Sequence, residues 1–82
     1  MRVLTTDVFA GAWLMSRGAR LVDLLVDRTG VRETGTFVLD GPTALVDLET
    51  YSRGEAIANV KAVRDGVTTL RTRLARALRH AA

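Results

Sequence analysis

The spacing of apolar residues divides the 82-residue chain into six segments. Residues 2–5 (RVLT) form a short β-prone opening. Thr6 or Asp7 is then placed to cap a helix whose first turns hold Val8, Phe9, Ala12, Trp13 and Met15. Gly18 follows where a helix-ending glycine is expected. In residues 20–27 (RLVDLLVD), Val22, Leu24 and Val26 recur at period two, which predicts a strand. Its other face alternates Leu21 and Leu25 with Asp23 and Asp27, so both faces of the sheet are expected to be at least partly covered. Asp27-Arg28-Thr29-Gly30 reads as a tight hairpin turn. Residues 33–40 (ETGTFVLD) return as the partner strand, with Phe37 and Leu39 on one face, Val38 on the other and Gly35 as a candidate bulge.

Asp40-Gly41-Pro42 breaks that strand and starts a short helix with proline in its first turn. Leu45, Leu48 and Tyr51 are spaced as its apolar face, and Ser52-Arg53-Gly54 closes it. Residues 55–58 carry no clear pattern. Asn59 is a good N-cap for a last helix which, at about 1.5 Å per residue, runs roughly 30 Å to the end of the chain. Within it Val60, Val63, Val67, Leu70, Leu74, Ala77 and Ala81 step by alternating threes and fours, an a/d register that makes a narrow apolar seam. The seam either packs on the domain's own sheet, the favoured reading, or pairs with a second copy of the helix. Gly66 lies inside the helix near the seam's flank, where it permits close packing. The order β-α-β-β-α-α predicts one α+β domain over residues 1–82, a short, mostly antiparallel sheet covered by helices, ending in a long basic helix.

A chain this short buries only about 60 to 65% of the surface it exposes when unfolded. With no cysteine, neither a disulfide nor a thiolate metal site adds to its stability, so core packing or a partner subunit must. The partly apolar second face of the sheet raises the expectation of a homodimer. No apolar run approaches the roughly 18 residues of a membrane span and the first residues do not form a signal peptide, from which a cytoplasmic location is expected. The net charge of +3 hides an asymmetry. Residues 1–54 hold six basic and seven acidic groups and residues 55–82 six basic and two acidic, so the halves stand at −1 and +4. Segregated charge of this kind points to an acidic partner.

Several stretches also resemble a known family. They are Thr5-Thr6-Asp7-Val8-Phe9-Ala10-Gly11-Ala12-Trp13-Leu14-Met15, Gly18-Ala19-Arg20-Leu21, Phe37-Val38-Leu39-Asp40 and Tyr51-Ser52-Arg53-Gly54-Glu55-Ala56. Together they look like short prokaryotic and phage-associated domains of unknown function. Such domains open with a threonine, aspartate and aromatic run into an alanine-rich helix and close with a tyrosine and glycine corner before a basic helix. The resemblance implies the architecture and brings no activity, cofactor or catalytic residue.

The inventory for enzyme chemistry is poor. The one histidine, His80, sits near the chain's end and reads as a complement to the helix dipole. No serine or threonine has an ordered base in prospect, and the glycines include no phosphate-loop spacing. Asp23, Asp27, Asp40, Asp47 and Glu49 fit strand faces, the turn, the helix start and an exposed helix face better than a hard-metal site. No catalytic residue, cofactor, metal or small-molecule substrate is expected. Trp13, among alanines and leucine, reads as core. The candidate site is instead the last helix. Lys61, Arg64, Arg71 and Arg79 fall within an arc of about 80° on one flank, Arg73 lies on the opposite flank and Arg76 points away, with Tyr51 and Arg53 as further contacts. Cations facing one way neutralise phosphates and release counterions, so nucleic acid is the first expected partner. The alternative is a protein-interaction or assembly module whose arginines only solubilise an exposed face, form helix well and complement the helix dipole.

Overall fold

Six elements follow in the expected order: β1 (Arg2–Thr5), α1 (Val8–Ser16), β2 (Arg20–Asp27), β3 (Thr34–Asp40), α2 (Ala44–Ser52) and α3 (Val60–Ala81). The structure, a computed structural model, describes residues 1–28 and 34–81, the side chains of 80 and 81 excepted. Thr29 and Gly30 of the expected turn, Glu33 of the expected strand and the His80 and Ala81 side chains lie outside the described residues. The three strands form one antiparallel sheet in the order β1-β3-β2.

Local chemistry sets the helix ends. Asp7 is the α1 N-cap, its Oδ1 accepting the amides of Phe9 at 2.9 Å and Ala10 at 3.3 Å, which would otherwise have no intrahelical partner. At the far end Gly18 takes a φ of +102°, a left-handed conformation that glycine adopts without a Cβ penalty. Its amide donates to the Met15 carbonyl while that of Ala19 reaches back to Leu14, closing a Schellman turn. Gly54, at φ +76°, ends α2 in the same way through Gly54 to Tyr51 and Glu55 to Thr50 bonds.

The core lies between one face of the sheet and the helices. Phe37 and Leu39 of β3 are buried there with Val3, Leu14, Trp13, Val67 and Leu70. The bulge is not at Gly35. The β2 register instead slips between Leu21, opposite Leu39, and Asp23, opposite Val38, so Val22 is the extra residue. This overturns the simple alternation. Leu21 and Leu24 both oppose core residues of β3 and pack against the core, while Leu25 pairs with Thr36 on the outer face. Gly35 serves a packing role, since a Cβ there would lie 2.5 Å from Leu74 Cδ1.

The buried face of α2 is likewise rotated by about one position. Leu48 and Tyr51 reach the core as expected, but Ala44 and Asp47 are buried with them, and Leu45 is exposed. Pro42 precedes the helix, and Thr43 is its N-cap. Asp47, expected on a solvated face, is only 5% exposed. Its carboxylate is satisfied by the Thr43 hydroxyl at 2.7 Å and the Arg17 guanidinium at 3.5 Å, which is what makes burial of a charged group tolerable.

The α3 seam packs on the domain itself. Val67 and Leu70 are buried and Val63 and Leu74 half-covered against the core, whereas Val60, the first seam residue, is 79% exposed. At the point of closest approach, a Cβ on Gly66 would sit 2.9 Å from Ala12 Cβ and 3.0 Å from Ala12 Cα. No side chain fits there unless α1 and α3 move apart. Gly66→Val is therefore expected to destabilise the fold by about 2 kcal/mol despite valine's better helix propensity, read as a lower urea midpoint at unchanged slope.

Candidate interaction surface

Trp13 organises the end of α1. Its indole Nε1 donates to the Ile57 carbonyl at 3.2 Å, its ring lies 6.3 Å from that of Tyr51, and the Arg17 guanidinium carbon sits 5.8 Å from its centroid. This indole bond ties the segment before α3 to α1, and it confirms Trp13 as a core residue rather than a stacking platform. The Tyr51 hydroxyl donates to Asp7 Oδ2 at 3.0 Å, linking α2 to the cap of α1. Partial burial, then the bond to and the charge of Asp7, raise the Tyr51 phenol above its ordinary value.

The proposed cations fall into three groups. Lys61 is held by Asp65 at 3.0 Å and Arg53 by Glu55 at 2.5 Å, both exposed pairs whose positive charge is largely answered within the chain. Arg73, Arg76 and Arg79 are exposed on α3 and take part in no ion pair among the described residues. Arg64 and Arg71 are also without a carboxylate among the described residues, and both border a concavity.

That concavity is a groove of about 450 Å³ between α1 and α3, lined by Phe9, Ala58, Val60, Val63, Arg64, Val67 and Arg71. No strand residue lines it; its walls come from α1, α3 and Ala58 just before α3. Phe9 is 51% exposed, and the Arg71 guanidinium carbon stands 5.8 Å from its ring centroid, within cation–π range. Arg71 also borders a second hollow of about 330 Å³, lined by Thr6, Val8, Thr34, Gly35, Phe37 and Leu74. The sequence places Phe9 among the apolar residues of the first turns of α1 without marking it as exposed. Its neighbours Ala10 to Leu14 are all buried, and nothing in a helix apolar on nearly every side marks Phe9 as a position that faces out.

A second uncovered surface lies on the opposite side of the domain. On the outer sheet face Val38 is itself buried, flanked across the ladder by Leu4, 56% exposed, and Asp23, with Leu25, 47% exposed, two pairs further along. The bulged Val22 is exposed there too.

Among the described residues, no three metal-ligating side chains come together, and no helix is long and apolar enough to cross a membrane. No family model, curated protein or solved structure matches the chain.

Tyr51 is the only tyrosine, so its ionisation can be followed directly by ultraviolet absorbance. The midpoint is expected above 10, and Asp7→Asn, which keeps a capping side chain, should bring it part of the way back. Because the folded state holds this proton more tightly than the unfolded one, the associated stability is present below the unfolded value and is lost as pH rises beyond it.

Proposed function

We propose that the protein is a small non-catalytic accessory module that binds an acidic partner through the flank of α3 carrying Lys61, Arg64, Arg71 and Arg79, with Arg73 and Arg76 assisting. The observation that carries this reading is the placement of Arg64 and Arg71, unpaired with any carboxylate among the described residues, on the rim of an open groove beside exposed Phe9. A guanidinium keeps its charge at every physiological pH and forms forked bonds to carboxylate or phosphate, so two of them at one concavity favour an anionic visitor. Nucleic acid is the partner that the charge of the helix calls for by itself. Tyr51, Arg53 and Lys61 contribute less to such a surface, since Asp7 engages the hydroxyl of the first, Glu55 the guanidinium of the second and Asp65 the ammonium of the third. A cytoplasmic setting and kinship with the short phage-associated domains belong to the same reading and rest on the sequence alone.

Equal changes of net charge separate a specific flank from diffuse attraction. Retention on heparin is expected to fall much further for Arg64→Glu/Arg71→Glu than for Arg73→Glu/Arg76→Glu, although both pairs remove the same charge. Equal losses would leave no privileged flank. If the partner is a nucleic acid that engages four of these cations, the logarithm of affinity for an oligonucleotide should fall with that of salt at a slope of about −3 to −4.

A second reading, self-association, is favoured by the exposed Leu4, Val22 and Leu25 around Val38 on the uncovered sheet face. Exposed apolar side chains grouped on one face are a feature of association surfaces. Sedimentation of the intact chain is expected to show a concentration-dependent dimer that Leu4→Lys/Leu25→Lys returns to monomer without loss of helical signal. A monomer across about 1 μM to 1 mM would remove this reading.

A further inference from the structure

The apolar floor of the groove narrows the chemistry of the acidic partner. We infer that the α1–α3 groove docks an amphipathic helix of a partner protein, one that lays apolar side chains on Phe9, Val60, Val63 and Val67 and offers carboxylates to Arg64 and Arg71. This rests on the acidic-partner reading and goes beyond it in naming the class of occupant.

Three features carry the inference. The first is the make-up of the walls, in which five of the seven lining residues are apolar and Arg64 and Arg71 are the only charged groups. A sugar–phosphate backbone wants donors along its whole track and stacking surfaces between them, and here only Phe9 offers a ring. Leucine or methionine side chains, by contrast, gain from covering Phe9 and Val60, which the chain leaves at 51% and 79% exposure.

The second is spacing. Arg64 and Arg71 are seven residues apart on one helix, which separates them by two turns, or roughly 10.5 Å along the axis. A partner helix with carboxylates at i and i+7 repeats that interval, so both pairs form while the apolar face between them fills the floor.

Charge complementarity is the third. With no acid among the described residues paired to Arg64 or Arg71, the groove has positive ends that exclude basic amphipathic helices and admit acidic ones. Arg71 is steadied over the Phe9 ring, so less side-chain freedom is lost when a carboxylate arrives.

The test uses the intact chain and three fluorescein-labelled peptides of about five helical turns. One has leucines on one face and glutamates seven residues apart beside them, the second replaces each glutamate by lysine, and the third scrambles the first so that no apolar face remains. Fluorescence anisotropy is expected to show saturable binding of the glutamate peptide, at least about ten-fold tighter than either control. Phe9→Ser/Val60→Ser and Arg64→Glu/Arg71→Glu should each weaken it by about ten-fold or more, both altering exposed side chains that the core does not need, and the second variant should now prefer the lysine peptide. If the scrambled peptide binds as well as the first, charge alone is recognised, and the inference falls while the acidic-partner reading stands. If a single-stranded oligonucleotide displaces the peptide and itself binds independently of Phe9 and Val60 but not of Arg64 and Arg71, the surface belongs to phosphate and the inference falls. Failure of every acidic probe, heparin included, overturns both.

Discussion

The contact between Gly66 of α3 and Ala12 of α1 is the constraint on which the rest of the molecule depends. Helix α1 is apolar on nearly every side, so it survives in water only when walled in by the sheet, α2 and α3 together. That enclosure needs the two long-axis neighbours to approach until a single Cβ would collide with backbone, and it places Leu70 over Gly11, where a Cβ would lie 2.8 Å from Leu70 Cδ1. Leu70, with no exposed surface, then seals the space above Phe37 and Leu39. The close approach also determines what stays open. With Ala12 pressed to Gly66, Phe9 one turn earlier stands beside Val67 and Arg71 instead of beneath them, and the groove is the space left over.

Much of this was legible in the residues, because it follows from short-range rules. The capping carboxylate of Asp7, the left-handed glycine at Gly18, the period-two strands and the three-and-four stepping of the α3 seam each encode a local geometry without reference to the rest of the chain. What escaped was decided between elements. Period two cannot reveal that Val22 is an extra residue, since the slip is fixed only when Leu21 and Leu24 must both meet the core face of β3. Nor can a 3.6-residue period tell that Asp47 turns inward, because its burial depends on Thr43 and on Arg17 arriving from another helix.

The basic helix shows the same division. Angular spacing placed Arg64 and Arg71 on one flank, and both do border one groove. It could not distinguish Lys61, answered by Asp65 one turn on, from cations left unanswered, nor foresee that an exposed phenylalanine from a different helix would turn a charged flank into a mixed apolar and cationic one. The mixed character of the groove is a property of two helices in contact, while the charge count belongs to one.

The two uncovered surfaces have a geometric relation that bears on any assembly. The groove lies on the helical side of the sheet and the Val38 face on the other, so occupying one does not obstruct the other. The β2 edge is an unpromising route to association, because the bulge at Val22 interrupts the ladder and Arg20, Asp23 and Asp27 line the strand with charge of both signs. Face-to-face packing through Leu4, Val22 and Leu25 would instead set two grooves on opposite sides of a symmetric pair. Two sites of modest affinity, held at a fixed separation, bind a partner with repeated acidic segments far more tightly than either does alone, since the second engagement is intramolecular. A small domain of thin stability margin would in that arrangement gain core-like burial from its own copy and avidity for its partner from the same contact.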